Sequence, residues 1–390
     1  MADTRRLRVG DWIGILGGGQ LGRMMALAAR EMGFHLVVWD PDPDAPAKEV
    51  ADVCLCKPWD DPTGRAEMLA HTQVITYEFE NVDPGLAAAL AESVPVFPPP
   101  AMLTTTRHRV REKTAVRAAG LLTTPFRPVS SASDLAEAAK TVGLPAILKT
   151  VEGGYDGKGQ VPISDASEID RAFDTLGAGQ VELIWERRVS FIQEVSVIVG
   201  RGIDGRTVTF PVTENHHEKG ILDWSVVPAR ISEAARQRAD QAARRLAEFL
   251  GLVGVMAVEF FVTADEQVLV NEMAPRPHNS GHWTIEGALP SQFGLHIRAI
   301  SGWPVTEPVW LGPTAMSNIL GDHLLTGPWD LAGPLDRPGV SVHWYGKSAV
   351  RTGRKMGHIT AVGSSREDVV ERVITARQQL VSAKEGQGHA

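Results

Sequence analysis

The order of segments at residues 12–39 constrains the fold more than any other feature of the chain. Trp12 to Leu16 is a short apolar run, Gly17, Gly18, Gly19 and Gly22 turn the chain, Leu21 to Met32 repeats apolar residues at helical spacing, and Phe34 to Trp39 is apolar again. A strand, a helix and a second strand in this order predict a βαβ unit, because parallel strands need a crossover. Val74 to Tyr77 and Val94 to Phe97 read as further strands of the same sheet, and Pro98-Pro99-Pro100 breaks the pattern. An N-terminal α/β domain over residues 1–107 is expected.

The next stretch is different in kind. Arg107 to Ala119 reads as a charged helix and Ser133 to Val142 as another, after which strands dominate: Ala146 to Lys149, Leu183 to Trp185, Gln193 to Val199, Thr207 to Val212, Val255 to Val262 and Val268 to Met273. One long helix, Glu233 to Phe249, interrupts them. Segregated strands and helices indicate an α+β domain, taken as 108–302. Strands at Ser341 to Tyr345 and His358 to Val362, then a helix from Arg366 to Leu380, make a third small unit, 303–390. A chain of 390 residues accommodates two or three domains at about 150 residues each.

Charge narrows the partners. The chain has 39 Lys+Arg against 47 Asp+Glu, a net charge of −8, which argues against nucleic acid or an anionic membrane as the main partner. No run of 18 apolar residues occurs, and the glycines at 17–19 interrupt the first apolar stretch too early for a signal peptide. Cys54 and Cys56 are the two cysteines, and their spacing suits neither a disulfide framework nor a zinc site. A cytoplasmic protein is expected.

Three constellations carry chemistry. Gly17 to Gly22 satisfies G-x-G-x-x-G between a strand and a helix, with Asp40 at the end of the next strand where a ribose-binding acid would sit. A nicotinamide cofactor, another phosphate ester and a purely structural turn all remain compatible with it. A second glycine loop, residues 152–160, follows the strand ending at Lys149 and carries Lys158. It is not a Walker A loop, but it suits a lid whose amides and lysine close over phosphates.

The third is a pair of carboxylates. A hairpin turning about Asp265-Glu266 puts Glu259 opposite Glu272, and directly opposed residues have Cβ atoms about 5 Å apart, where like charges repel. With the amide oxygen of Asn271, the pair forms a set of hard oxygen donors that favours Mg²⁺ held together with substrate phosphates. Immediately beyond, Pro275 and Pro277 stiffen a loop bearing Arg276, His278, Asn279 and Ser280. Lys347, Arg351, Arg354 and Lys355 form a basic cluster near the C-terminus, either a solvated face or a seat for a phosphate ester.

Taken together, GGGQLGRM at 17–24, YEFENV at 77–82, GGYDGKGQ at 153–160, ENHHEKGIL at 214–222, NEMAPRPHNSGHW at 271–283, and HWYGK with GRKMGH at 343–347 and 353–358 resemble the ATP-grasp superfamily. Within it they resemble the N5-carboxyaminoimidazole ribonucleotide synthases, over residues 12–380. The resemblance implies a three-domain ATP-grasp architecture, α/β and α+β. It has an N-terminal Rossmann-like domain of the biotin-carboxylase type, a central ATP-grasp domain and a small C-terminal domain. It implies ATP with Mg²⁺, or Mn²⁺ in its place, and the substrates bicarbonate and aminoimidazole ribonucleotide. It also implies a homodimer.

Site roles follow from the same resemblance. Arg107, Lys149 and the lid residues Gly154, Tyr155, Asp156, Gly157, Lys158, Gly159 and Gln160 would hold the phosphates of ATP. Glu186, Arg187, Arg188 and Val189 would meet the adenine, Glu194 the ribose, and His217 would flank the nucleotide. Glu259 and Glu272 would carry the metal, with Asn271 beside it. Gly19, Gln20, Leu21, Glu78, Asn279, Ser280, Lys347 and Arg354 would bind the ribonucleotide, and Tyr155, Arg276, His278 and Lys355 would surround the reacting groups. Related ATP-grasp ligases that activate formate or charge biotin share the metal pair, and the RPHNSGHW and GRKMGH stretches argue against them. A nicotinamide-dependent oxidoreductase would leave the carboxylate pair and the second glycine loop unexplained.

Overall fold

The computed structural model describes residues 6–154 and 159–381. The N-terminal part is a parallel four-stranded sheet in the order Val53–Leu55, His35–Trp39, Trp12–Leu16, Val74–Tyr77. The helix Gln20–Glu31 packs on it through Met24, Met25, Ala28 and Ala29. Val94 to Phe97, expected as a strand, contributes only the bridge of Val96 to Ile75, because Pro95 and Pro98 remove the donors a ladder needs. Val53–Leu55 was not expected; three residues are too short to show an alternation.

Among the described residues the central part contains two large antiparallel sheets, beside a two-stranded one of Ala288–Leu289 and Val309–Trp310. The smaller has the order Phe126–Val129, Leu183–Arg187, Ala146–Thr150, Gln160–Ile163. The larger has nine strands. It runs from Val268–Ala274 through Gly254–Val262, Gln193–Arg201, Thr213–Glu218 and Ile221–Val227 to Thr314–Leu320, Lys355–Val362 and Val340–Trp344, with Thr207–Thr209 paired to Gln193–Arg201. The helix Glu233–Phe249 matches its expected bounds. Ser232 caps it by accepting from the Ala235 amide, and Ala235, Ala239, Ala242, Ala243 and Leu246 form its buried face.

Two expectations need correction. Thr207 to Val212 is not one strand: it stops at Thr209 before Pro211, and a new strand starts at Thr213. ENHHEKGIL is then a hairpin whose turn residues Lys219 and Gly220 have φ of 52° and 81°, the left-handed pair that tight hairpins require. Nor do the C-terminal strands form a separate sheet. Thr314–Leu320, missed in the sequence because it is buried on both faces, pairs with Ile221–Val227 and carries the last two strands onto the central sheet.

Candidate active site

The carboxylate pair sits where the large sheet meets the cleft. Glu259 and Glu272 are directly opposite, but the hairpin reaches this by a different route. Its inner pairs, Val262 with Val268 and Phe260 with Val270, centre the turn on Asp265, a register that alone would put Asn271 opposite Glu259. A bulge after Glu259 absorbs Asn271 as the extra residue and restores the opposition. Glu259, Asn271 and Glu272 all line one cavity of about 560 Å³. Burial raises the Glu259 carboxyl to about 7, reinforced by the charges of Glu272 and Glu194 and opposed by His217 and Lys355.

A third carboxylate, Glu112, has no motif around it in the sequence. Glu112 is 3% exposed and accepts the Met273 amide at 2.5 Å. Burial, then Glu272, push its pKa well above the carboxylate range. Among the described residues no group of three or more His, Cys, Asp or Glu side chains forms a complete metal cage. A cation here would complete its shell from ligand oxygens, the habit of Mg²⁺ rather than Zn²⁺.

A buried cluster of charges, joined to the Asn271 carbonyl through Lys113, holds Lys149 in place. Its ammonium lies 3.1 Å from Glu186 Oε2, which Lys113 also approaches at 3.3 Å. Burial alone would raise Glu186, but Lys113 and Lys149 hold it down at about 2. Lys113 also donates to the hydroxyl of Thr124 at 2.9 Å. Glu186 thus meets both lysines through Oε2, while its Oε1 is buried without a partner in a residue that lines the cavity. Arg187, next along the strand, points the other way and donates to the Val142 carbonyl at 3.4 Å. Neither Arg187, Arg188 nor Val189 lines the cavity.

The helix expected from Arg107 begins at Arg109. Arg107 ends the preceding helix, donates to the Val82 carbonyl at 3.3 Å and lines a side cavity with Gly153 and Gly154. Arg109 lines the main cavity as well and donates to the Gly154 carbonyl at 2.9 Å. Arg109, Glu112 and Lys113 lie three and four residues apart, on one helical face turned to the cleft. That spacing was visible, but in a charged helix it reads as a solvated face. Gly154 and Gln160 flank the cavity, Gly159 accepts the Thr150 amide at 2.9 Å, and Tyr155, Asp156, Gly157 and Lys158 lie outside the described residues. Glu194 and His217 line the cavity and bond at 3.0 Å. Burial works against a charged His217, but Glu194, Glu259 and Glu272 raise its pKa.

Arg276, His278 and Lys355 line both this cavity and a second one of about 240 Å³ reached by Gln20, Leu21, Glu78, Asn279 and His282. Arg276 is held at 2.7 Å by Glu80, which lies inside YEFENV. Burial, then Arg276 and Lys355, push His278 well below its usual pKa, so its ring is neutral. Ser280, expected at the substrate, is fully buried instead. It accepts from Ser196 and meets His278 Nδ1, both at 2.9 Å, so it orients the imidazole. Both polar ends of the Asn279 amide are buried without a partner while the residue lines the second cavity.

The glycine turn differs from expectation too. Gly19 and Gly22 donate their amides to the Glu78 carboxylate, and Gly18 donates to Asp40 at 2.7 Å. The amides expected at a phosphate are occupied by carboxylates, and a Cβ at Gly19 would collide with Glu78. Asp40 is a brace for the turn, not a ribose ligand. Gln20 and Leu21 face the second cavity, whereas Gly19 does not line it. Lys347 donates to the Lys355 carbonyl and Arg354 to the Ala349 carbonyl, both at 2.8 Å, and neither lines the second cavity. Burial and Arg354 push Lys347 down to about 8, against the pull of Glu78.

Comparison with known proteins fits this geometry. Residues 11–107 match the ribonucleotide synthetase preATP-grasp domain, 114–293 the ATP-grasp domain, and 314–372 the phosphoribosylaminoimidazole carboxylase C-terminal domain. N5-carboxyaminoimidazole ribonucleotide synthase of Bacillus subtilis is 41% identical over 364 residues, 93% of this chain and 94% of that protein. The crystal structure of an ADP complex of an N5-carboxyaminoimidazole ribonucleotide synthetase superposes with a TM-score of 0.90 at 42% identity, covering 96% of this chain and 98% of that one. The enzyme from Aspergillus clavatus, in complex with ADP and 5-aminoimidazole ribonucleotide, gives 0.86 at 29% identity, over 95% and 99%. With its three family domains in order and this identity along nearly its whole length, the chain belongs to the N5-carboxyaminoimidazole ribonucleotide synthases of the ATP-grasp superfamily.

Proposed function

We propose that this chain uses ATP and bicarbonate to carboxylate the exocyclic amine of 5-aminoimidazole ribonucleotide, in purine biosynthesis. The observation that carries the reading is the wall of Arg276, His278 and Lys355 shared by two cavities. One cavity has the lysines and carboxylates an MgATP site needs, and the other has the polar groups a ribonucleotide needs.

In the reaction, a bicarbonate oxygen attacks the γ-phosphorus, ADP leaves, and carboxyphosphate delivers its carbon to the amine, releasing phosphate. Glu259, Glu272 and the Asn271 amide would hold Mg²⁺, or Mn²⁺, which neutralises phosphate charge when bound; the mutually repelling carboxylates fit such a cation. Lys149 and Arg109 face the transferring phosphate, and Arg276 offsets charge on the bicarbonate side. Neutral His278 lies 3.7 Å from Glu259 and is positioned to take a proton from the amine. Gly154 and Gln160, which line the cavity, would lie beside the nucleotide phosphates. Asn279 and Gln20 meet the ribonucleotide, and Lys347 and Arg354 supply the positive charge for its phosphate.

ADP release should require both bicarbonate and aminoimidazole ribonucleotide. Turnover with formate and glycinamide ribonucleotide instead would make the substrate assignment wrong. Lys355→Ala should lower kcat by about 100-fold with little change in the KM for ATP, and an unchanged kcat removes Lys355 from the site. Because Glu259 titrates near 7 and must be ionised to hold the cation, the Mg²⁺ concentration giving half-maximal rate should rise about tenfold for each pH unit below 7. A flat dependence between pH 5.5 and 7 would contradict this role for Glu259.

Among the described residues no helix is long and apolar enough to cross a membrane. A homodimer is supported by the exposed apolar strip of Leu289, Val309, Trp310 and Leu311. Sedimentation should give twice the chain mass, and Trp310→Glu should shift it towards the monomer.

A further inference from the structure

His282 lines the second cavity beside Arg276, His278 and Lys355, and takes no part in the mechanism above. Its ring packs against Phe293 and His358, with centroids 5.7 and 4.7 Å away. Gln292, fully buried at the start of the helix Gln292–Ile300, decides which of its nitrogens carries hydrogen. Gln292 Oε1 accepts the His278 amide at 2.9 Å, and Gln292 Nε2 donates to the His278 carbonyl at 2.8 Å. Both partners are backbone groups with fixed roles, so the side-chain amide stands one way round. The other hydrogen on Gln292 Nε2 then goes to His282 Nδ1, 3.1 Å away, which accepts it.

Burial, then the charges of His343, Lys355 and Arg276, push the His282 pKa well below the usual value, so the ring is neutral. A neutral imidazole whose Nδ1 accepts carries its hydrogen on Nε2. With Nδ1 taken, Nε2–H is the donor that His282 offers to the cavity. We propose that His282 is a specificity-determining residue, whose Nε2–H donates to N3, the unsubstituted ring nitrogen of the aminoimidazole.

The proposal rests on the substrate reading above and names the contact that reads the substrate's ring. For carboxylation the exocyclic amine has to face Arg276, His278 and Lys355, which brings the ring to the wall that also carries His282. That ring has one good acceptor, the lone pair of N3, because N1 bears the ribose and the exocyclic nitrogen donates. A group that can only donate suits this nitrogen. It discriminates against a ligand with C–H or N–H at the same place, which would leave Nε2–H buried and unpaired.

The full chain is labelled with ¹⁵N-histidine, and the His282 ring signals are identified by their loss in His282→Gln. At pH 7 the parent should carry hydrogen on Nε2 and none on Nδ1. The Nε2–H signal should shift on addition of aminoimidazole ribonucleotide and stay in place with ribose 5-phosphate, which has the sugar and phosphate but no ring nitrogen. His282→Phe should raise the KM for aminoimidazole ribonucleotide about 10- to 100-fold while the KM for ATP is unchanged. His282→Gln, which keeps an N–H near the position of Nε2, should recover most of that loss. Hydrogen on Nδ1, an equal shift with ribose 5-phosphate, or a parental KM in His282→Phe overturns the contact. A parent that does not turn over aminoimidazole ribonucleotide overturns the substrate reading instead, a result the tautomer measurement does not depend on.

Discussion

Glu272→Gln is expected to lose at least about 100-fold in ATP-dependent turnover while the protein becomes slightly more stable. The two effects have one cause. Glu272 is exposed to the cleft, opposite Glu259 and close enough to Glu112 to raise its pKa. Removing its charge leaves no buried group stranded and relieves a like-charge pair, worth about 0.2–1 kcal/mol. The same change removes one of the two carboxylates proposed to hold the cation. Steady-state rates over a Mg²⁺ titration, with a thermal melt alongside, check both halves. Near-normal turnover at low Mg²⁺, or a lower Tm, would contradict the assignment.

Glu186→Gln is expected to cost about 3–5 kcal/mol of folding stability, a large part of the roughly 5–15 kcal/mol typical of a protein. The substitution leaves Lys113, 2% exposed, and Lys149 facing one another with no anion between them. The pH dependence has a definite sign. Glu186 has a folded pKa of about 2, below the usual 4.5, so its contribution is fully present above pH 4.5 and fades as pH falls towards 2. Denaturant melts of the parent should therefore lose stability across that window more steeply than those of the variant. Replacing Lys113 by Met as well should recover part of the loss, because the double variant no longer buries two opposed ammonium groups. A single variant as stable as the parent would contradict a buried, ionised cluster.

How much of this was legible in the sequence depended on whether the signal was local. The strand Trp12–Leu16, the capped helix Glu233–Phe249 and the apolar strands of the Glu259 hairpin carry their own periodicity. The opposition of Glu259 and Glu272 was anticipated, although the bulge at Asn271 was not, because an inserted residue leaves no trace in an apolar pattern. Long-range electrostatics were invisible. Nothing near Lys113, on its helix, announces that Glu186, on a strand of the smaller sheet, will bury with it, or that Glu78 will cap the amides of a glycine turn 56 residues and more upstream. The side-chain directions of Ser280 and Arg187 were hidden for a related reason. Their neighbours in sequence face the cleft, and only the folded backbone shows that these side chains turn away.

The most direct test of the central claim is to follow oxygen from ¹⁸O-labelled bicarbonate during turnover with aminoimidazole ribonucleotide. If bicarbonate attacks the γ-phosphorus, each phosphate released with ADP retains one labelled oxygen when the bond to carbon breaks. Phosphate that carries no label while ADP accumulates would mean that water is the nucleophile, and the proposed coupling of ATP to carboxylation would be wrong.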